Sequence, residues 1–182
     1  LDNIIIVGSM ANNFLEYNGY NIGKSFKEKN CKAIIDEIYG ILKNNSCSLI
    51  YPTDVSVGKS LLDDPKVKEI NNIENDDMVL DIGPKTINQI KNIIEKSNSL
   101  LWNGPAGYFE NSSFSKGTNE IAKKIIDKNK NKTIYSVAGG GDTIAVLNQL
   151  DAIKYFNFVS TAGGAFLEYL EGKMLPGIKA LG

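Results

Sequence analysis

Short runs of β-branched and apolar residues alternate along this chain with longer stretches whose isoleucines recur every three or four positions, and that alternation admits few folds. The strand-like runs are residues 3–8, 47–51, 78–81, 99–102, 133–137 and 156–160. Between them, Ile34, Ile35, Ile38, Ile41 and Leu42 share one helical face, as do Ile87, Ile90, Ile93 and Ile94, and Ile121, Ala122, Ile125 and Ile126. Pro84 suits the first turn of its helix, where its missing N–H costs nothing. Apolar strands joined through amphipathic helices imply right-handed crossovers and a parallel sheet. The expected fold class is therefore α/β: doubly wound, mostly parallel, with helices on both faces, Rossmann-like. A chain of 182 residues supports one well-cored domain spanning residues 1–182. Residues 60–77 are polar and irregular, with a turn at Asp63-Asp64-Pro65, and are expected as a surface loop or small β excursion.

In such a sheet, ligands bind beyond the carboxyl ends of the strands. The segments leaving the strands read accordingly: Gly8-Ser9-Met10-Ala11, Trp102-Asn103-Gly104-Pro105, Gly139-Gly140-Gly141-Asp142 and Ser160-Thr161-Ala162-Gly163-Gly164. Tyr51-Pro52-Thr53-Asp54 is the exception, with no glycine and a proline that stops the preceding strand. Gly139, Gly140 and Gly141 join a strand to a helix and let backbone amides approach an anion with no Cβ in the way. Asp142 then places a carboxylate beside that anion, a repulsion ordinarily resolved by a Mg²⁺ held partly through water. The arrangement points to a magnesium-nucleotide site, with the second glycine turn at Gly163 and Gly164 offering further amides to the same polyphosphate.

Composition removes other chemistries. With only two cysteines and no histidine, neither a zinc site nor a Ser-His or Cys-His nucleophile system is expected from this chain. Cys31 and Cys47 are expected as core or boundary thiols. All twenty basic residues are lysines, which leaves no bidentate guanidinium clamp for a phosphorylated acid. A net charge of −1 lacks the basic excess of a nucleic-acid reader. No apolar run approaches the roughly 20 residues that span a bilayer. Neither a membrane span nor a nucleic-acid partner is expected. The start at Leu1, directly before a strand and without an initiator Met, reads as a piece cut from a longer chain.

Two Gly-Lys-Ser sequences, at residues 23–25 and 58–60, fail the P-loop pattern because Asn18 and Thr53 stand where it needs glycine. Their lysines are expected to be solvated. The dinucleotide fingerprint fails as well, since Ile144 occupies its last glycine position, and leaves a nicotinamide-binding Rossmann domain as a lesser alternative. Trp102 is expected in the core rather than under an adenine. Glu110, seven residues after Asn103, is either a solvated loop acid or a partner for a ribose hydroxyl.

Read together and in order, Trp102-Asn103-Gly104-Pro105-x-Gly107-x-Phe109-Glu110, Gly139-Gly140-Gly141-Asp142-Thr143 and Ser160-Thr161-Ala162-Gly163-Gly164-Ala165-x-Leu167-Glu168-x-Leu170-Glu171-Gly172-Lys173 resemble the phosphoglycerate kinase family, in its carboxy-terminal, nucleotide-binding half. Leu80-Asp81-Ile82-Gly83-Pro84 and Leu175-Pro176-Gly177 add to the likeness. The resemblance implies glycolytic phosphoryl transfer between 1,3-bisphosphoglycerate and ADP, giving 3-phosphoglycerate and ATP with Mg²⁺. It implies that Gly139, Gly140, Gly141, Asp142 and Thr143 hold the nucleotide phosphates, that Asp142 faces the metal, and that Glu110 binds ribose. It further implies that Gly8, Leu80 and Asn103 line the nucleoside pocket, that Gly141, Gly163 and Gly164 are the catalytic positions, and that Ser160 and Thr161 form a hinge.

Two positions depart from the family pattern. Ser9 stands where glycine is common and is expected to narrow the nucleoside pocket, and Ala162 replaces a glycine, a strained substitution if that position needs a positive φ. The family's lysine segment and its arginine-rich phosphoglycerate site are also missing, so the isolated chain is expected to be inactive. A folded fragment without a competent site is the alternative.

Overall fold

A computed structural model describes residues 1–181. The chain forms two compact units, one of Leu1–Ile93 with Pro105–Ile121 and the other of Ile94–Gly104 with Ala122–Gly182. In the first unit, β1 (Asn3–Ile5) leads through α1 (Gly8–Tyr17) and α2 (Lys32–Lys43) to β2 (Ser48–Ile50), and the two strands pair in parallel. β3 (Asp54–Gly58), β4 (Lys66–Glu69) and β5 (Met78–Ile82) follow as a separate antiparallel sheet in the order β4-β3-β5. α3 (Pro84–Lys96) leaves this sheet, and α4 (Lys116–Lys130) follows β6 (Ser99–Asn103) later in the chain. The second unit holds β6, β7 (Tyr135–Gly139) and β8 (Phe158–Val159), all parallel, with α5 (Gly141–Gln149), α6 (Gly164–Leu170) and α7 (Pro176–Lys179).

The α/β class with parallel sheets and flanking helices agrees with the sequence pattern, and Pro84 does open α3. The antiparallel sheet is the difference. Its first strand begins at Asp54, inside the segment expected as a glycine-free turn, and residues 66–69 supply the β excursion. Val55 and Val57 point into a core with Leu15, Ile22, Ile70 and Ile73. Phe14, Ala11, Ile6 and Ile35 form a second cluster under α1 and α2. On α2, only Ile35 of the isoleucine face is buried, while Ile34 and Ile41 remain exposed. The corresponding residues of α4, Ile121, Ala122, Ile125 and Ile126, are all buried.

Asp54 explains why α3 begins where it does. Its buried carboxylate accepts from the amides of Lys85 at 2.9 Å and Thr86 at 2.8 Å and from the Thr86 hydroxyl at 2.7 Å. A residue about thirty positions upstream thus satisfies the first turn that Pro84 opens, the work usually done by a local cap. Gly83 is required beside it, because a Cβ there would overlap the same carboxylate.

Candidate active site

Three turns leave the same end of the second unit's sheet. The register sets Asn103 opposite Gly139 and Ala138 opposite Val159, and the Ser160 amide continues the ladder to the Ala138 carbonyl at 2.8 Å. The loops after β6, β7 and β8 therefore start side by side at the strands' carboxyl ends, where an open parallel sheet presents its ligand site.

The β7–α5 turn is built around Gly140, whose φ of +88° is closed to most side chains. A Cβ at Gly140 would also lie 2.7 Å from Asn103 Oδ1, and one at Gly139 would lie 2.6 Å from the Phe166 ring. Gly141 and Asp142 open α5, and no side chain caps that helix. Its first-turn amides are thus left for an exogenous acceptor, and the positive end of the helix favours an anion. Asp142 is exposed there. Thr143 is fully buried, and its hydroxyl accepts from the Gly104 amide at 2.6 Å. Trp102 is buried against Phe156, as expected of a core residue, and donates to the Gly104 carbonyl at 2.8 Å. Thr143 and Trp102 brace the loop after β6, and Asn103 is exposed at its start. At the next strand, Gly163 caps α6 with a φ of +57°, and neither Gly163 nor Gly164 has a heavy atom within 4 Å of its Cβ direction.

Gly8, Leu80 and Glu110 belong to the first unit. Gly8 opens α1 with a φ of +62° and donates to the Ala106 carbonyl at 3.1 Å. Leu80 is buried in β5, and its carbonyl accepts from the Tyr108 amide at 2.6 Å. Glu110 is exposed in the loop that Tyr108 anchors. Ser9 is exposed on the first turn of α1. Ala162 does not have a positive φ, so the condition under which alanine would be strained there is not met.

A lone exposed carboxylate at the start of α5 fits Mg²⁺, which takes one or two carboxylates and completes its shell with substrate phosphates and water. A carboxylate cluster found among the described residues, Glu74, Asp76 and Asp77, is already ion-paired to two lysines. Lys59 lies 2.9 Å from Glu74, 2.5 Å from Asp76 and 2.9 Å from Asp77, and Lys68 lies 2.7 Å from Asp77. Lys59 is exposed, as its Gly-Lys-Ser context suggested, and is also the centre of an ion-pair network. Burial of Asp77 works to raise its carboxyl, but hydrogen bonds from Lys68, the Glu74 amide and Lys59 outweigh it and hold the group at about 2.

The profile of the family described as phosphoglycerate kinase matches residues 1–173. The chain belongs to the phosphoglycerate kinase family. It is 43% identical over 183 aligned positions to the phosphoglycerate kinase of Zymomonas mobilis, covering all of this chain and 46% of that protein. It is 41% identical to that of a Chelativorans species over the same span and share. The phosphoglycerate kinase structure from Coxiella burnetii superposes with a TM-score of 0.91 at 39% identity, covering 98% of this chain and 46% of that one. The enzyme from Pyrococcus horikoshii gives a TM-score of 0.78 at 29% identity, covering 99% and 45%. The chain thus spans about half the length of the relatives it matches.

One further cluster has no role assigned from the sequence, although Asp81 and Gly107 lie in segments that resemble the family. Asp81 is buried at the carboxyl end of β5 and accepts from the Gly117 amide at 2.7 Å and the Ile82 amide at 2.9 Å. A Cβ at Gly107 would lie 2.5 Å from Asp81 Oδ1, and one at Gly117 would overlap the same oxygen. Burial pushes the Asp81 carboxyl up to about 6, against the pull of the two amides and the charge of Lys116. The signals available were its place in Leu80-Asp81-Ile82-Gly83-Pro84 and a single acid in the otherwise apolar run Met78–Ile82.

Proposed function

We propose that this chain is the carboxy-terminal, nucleotide-binding half of a cytoplasmic glycolytic phosphoglycerate kinase, binding MgADP or MgATP as a monomer and inactive by itself. The observation that carries this reading is the uncapped amino end of α5 behind the positive-φ Gly140, with an exposed carboxylate at Asp142. Those features suit a polyphosphate rather than a neutral ligand.

In the proposed reaction an oxygen of the ADP β-phosphate attacks the phosphorus of the acyl phosphate, and the phosphorus–oxygen bond to the carboxyl group breaks, releasing 3-phosphoglycerate. Such transfer depends mostly on positioning and charge stabilisation. The amides from Gly139 to Thr143 hold the nucleotide phosphates, and those of Gly141, Gly163 and Gly164 face the equatorial oxygens of the phosphoryl group as charge develops on them. Glu110 takes the ribose hydroxyls, while Gly8, Leu80 and Asn103 line the nucleoside. Mg²⁺, when bound through Asp142, neutralises phosphate charge. Sequestration of the phosphoryl from water then falls to the phosphoglycerate-binding half found in full-length relatives.

The test is equilibrium binding of ADP with and without Mg²⁺, to the chain and to its Asp142→Ala variant. Mg²⁺ is expected to tighten ADP binding to the parent chain and to have little effect on the variant. Equal enhancement in both would remove Asp142 from the metal site.

A further inference from the structure

We infer that Asp81 is a positioning residue for nucleoside recognition: its buried carboxylate fixes the loop of residues 105–111 so that Glu110 is held ready for the ribose. The inference deepens, and rests on, the nucleotide-binding reading above.

Two anchors of that loop reach the end of β5 and the start of α4, a third comes from α1, and the Asn111 side chain donates to the Leu61 carbonyl at 2.8 Å. Tyr108 is tied to the Leu80 carbonyl, and Ala106 donates to the buried Thr118 hydroxyl at 2.9 Å while its carbonyl receives the Gly8 amide. Asp81 is the keystone between these bonds. One of its oxygens holds the Gly117 amide in the first turn of α4, and the other faces Gly107 so closely that only a glycine fits. The loop next folds on itself, with the Phe109 amide on the Gly107 carbonyl at 2.9 Å and the Asn111 amide on the Tyr108 carbonyl at 3.2 Å. Glu110 lies inside that short turn, so its backbone position follows from where Gly107 and Tyr108 are held. A buried carboxylate carries a desolvation cost that an apolar residue in its place would avoid. Through its two amide bonds and two glycine contacts, this one sets the separation between β5, the loop and α4. The charged group acting on it is Lys116, the first residue of α4.

Two variants test the role from opposite sides. Asp81→Ala removes the carboxylate, whereas Gly107→Ala leaves it in place and pushes the loop away with a Cβ. Each is titrated with ADP and with inorganic tripolyphosphate, which has phosphates but no ribose, and amide hydrogen exchange is followed at Tyr108 and Gly117. The expected result is ADP binding weakened about tenfold in both variants, tripolyphosphate binding unchanged, and faster exchange at Tyr108. Equal weakening of both ligands would mean general destabilisation and overturn the positioning role, as would ADP binding unchanged in either variant. Failure of the parent chain to bind ADP while Tyr108 exchange still responds to the substitutions would overturn the nucleotide reading and, with it, the ribose role.

Discussion

Gly140 carries a backbone requirement to which the proposed function would add a ligand requirement. Its φ of +88° and the nearby Asn103 oxygen leave no room for a side chain. Gly140→Ala is therefore expected to cost roughly 1–2 kcal/mol in urea unfolding, on top of any effect on binding. Asp81 makes a separate claim, about pH. Its carboxyl titrates near 6 in the folded chain but near about 4 when unfolded, so the native state holds the proton more tightly. The resulting stability is present below about pH 4 and is lost as pH rises through about 6. Relative to Asp81→Asn, the parent chain should lose on the order of 2 kcal/mol of unfolding free energy across that window. A difference between the two that does not change with pH would show that the buried acid is already ionised.

At the scale of elements, the strongest dependence is that of α3 on Asp54, which supplies three hydrogen bonds to its first turn. Asp54→Ala should lower stability by about 2–3 kcal/mol, measured by urea denaturation. The Lys59–Lys68–Asp77 network has its own signature. Because the folded Asp77 carboxyl is held at about 2, below its unfolded value, its contribution is present above about pH 4 and lost as pH falls through about 2. Asp77→Asn should flatten acid denaturation in that range, and an unchanged acid transition would contradict the network's role. These same elements mark what was legible in the sequence. β1, β2, β5, β6, β7 and β8 follow apolar runs, and the 3.6-residue isoleucine period gives α2, α3 and α4, because each pattern is local. The pairing of β3 with β4 has no such signal. Residues 66–69 are Lys-Val-Lys-Glu, an edge strand whose charges resemble a loop, and Asp54 serves a helix that begins thirty residues later. Pairing and capping at that distance leave no periodic trace. The turns at Gly139 to Thr143 and at Gly163 were legible because glycine and strand-to-helix order are local, whereas the grip of Asp81 on Gly107 and Gly117 exists only after folding.

For the molecule as a whole, the chain spans about half of its relatives' length, 46% of the Zymomonas mobilis enzyme, and the proposal separates nucleotide capture from turnover. This chain alone should bind MgADP without measurable phosphoryl transfer, and turnover should appear only when an amino-terminal phosphoglycerate-binding half is added. The most direct test of nucleotide capture is calorimetric titration with MgADP of the parent chain and of Gly140→Asp, which sets a bulky anion in the positive-φ turn. Saturable binding by the parent that disappears in the variant is the predicted result; no binding by the parent at millimolar ligand, or equal binding by both, would contradict the assignment of the β7–α5 turn as the phosphate site.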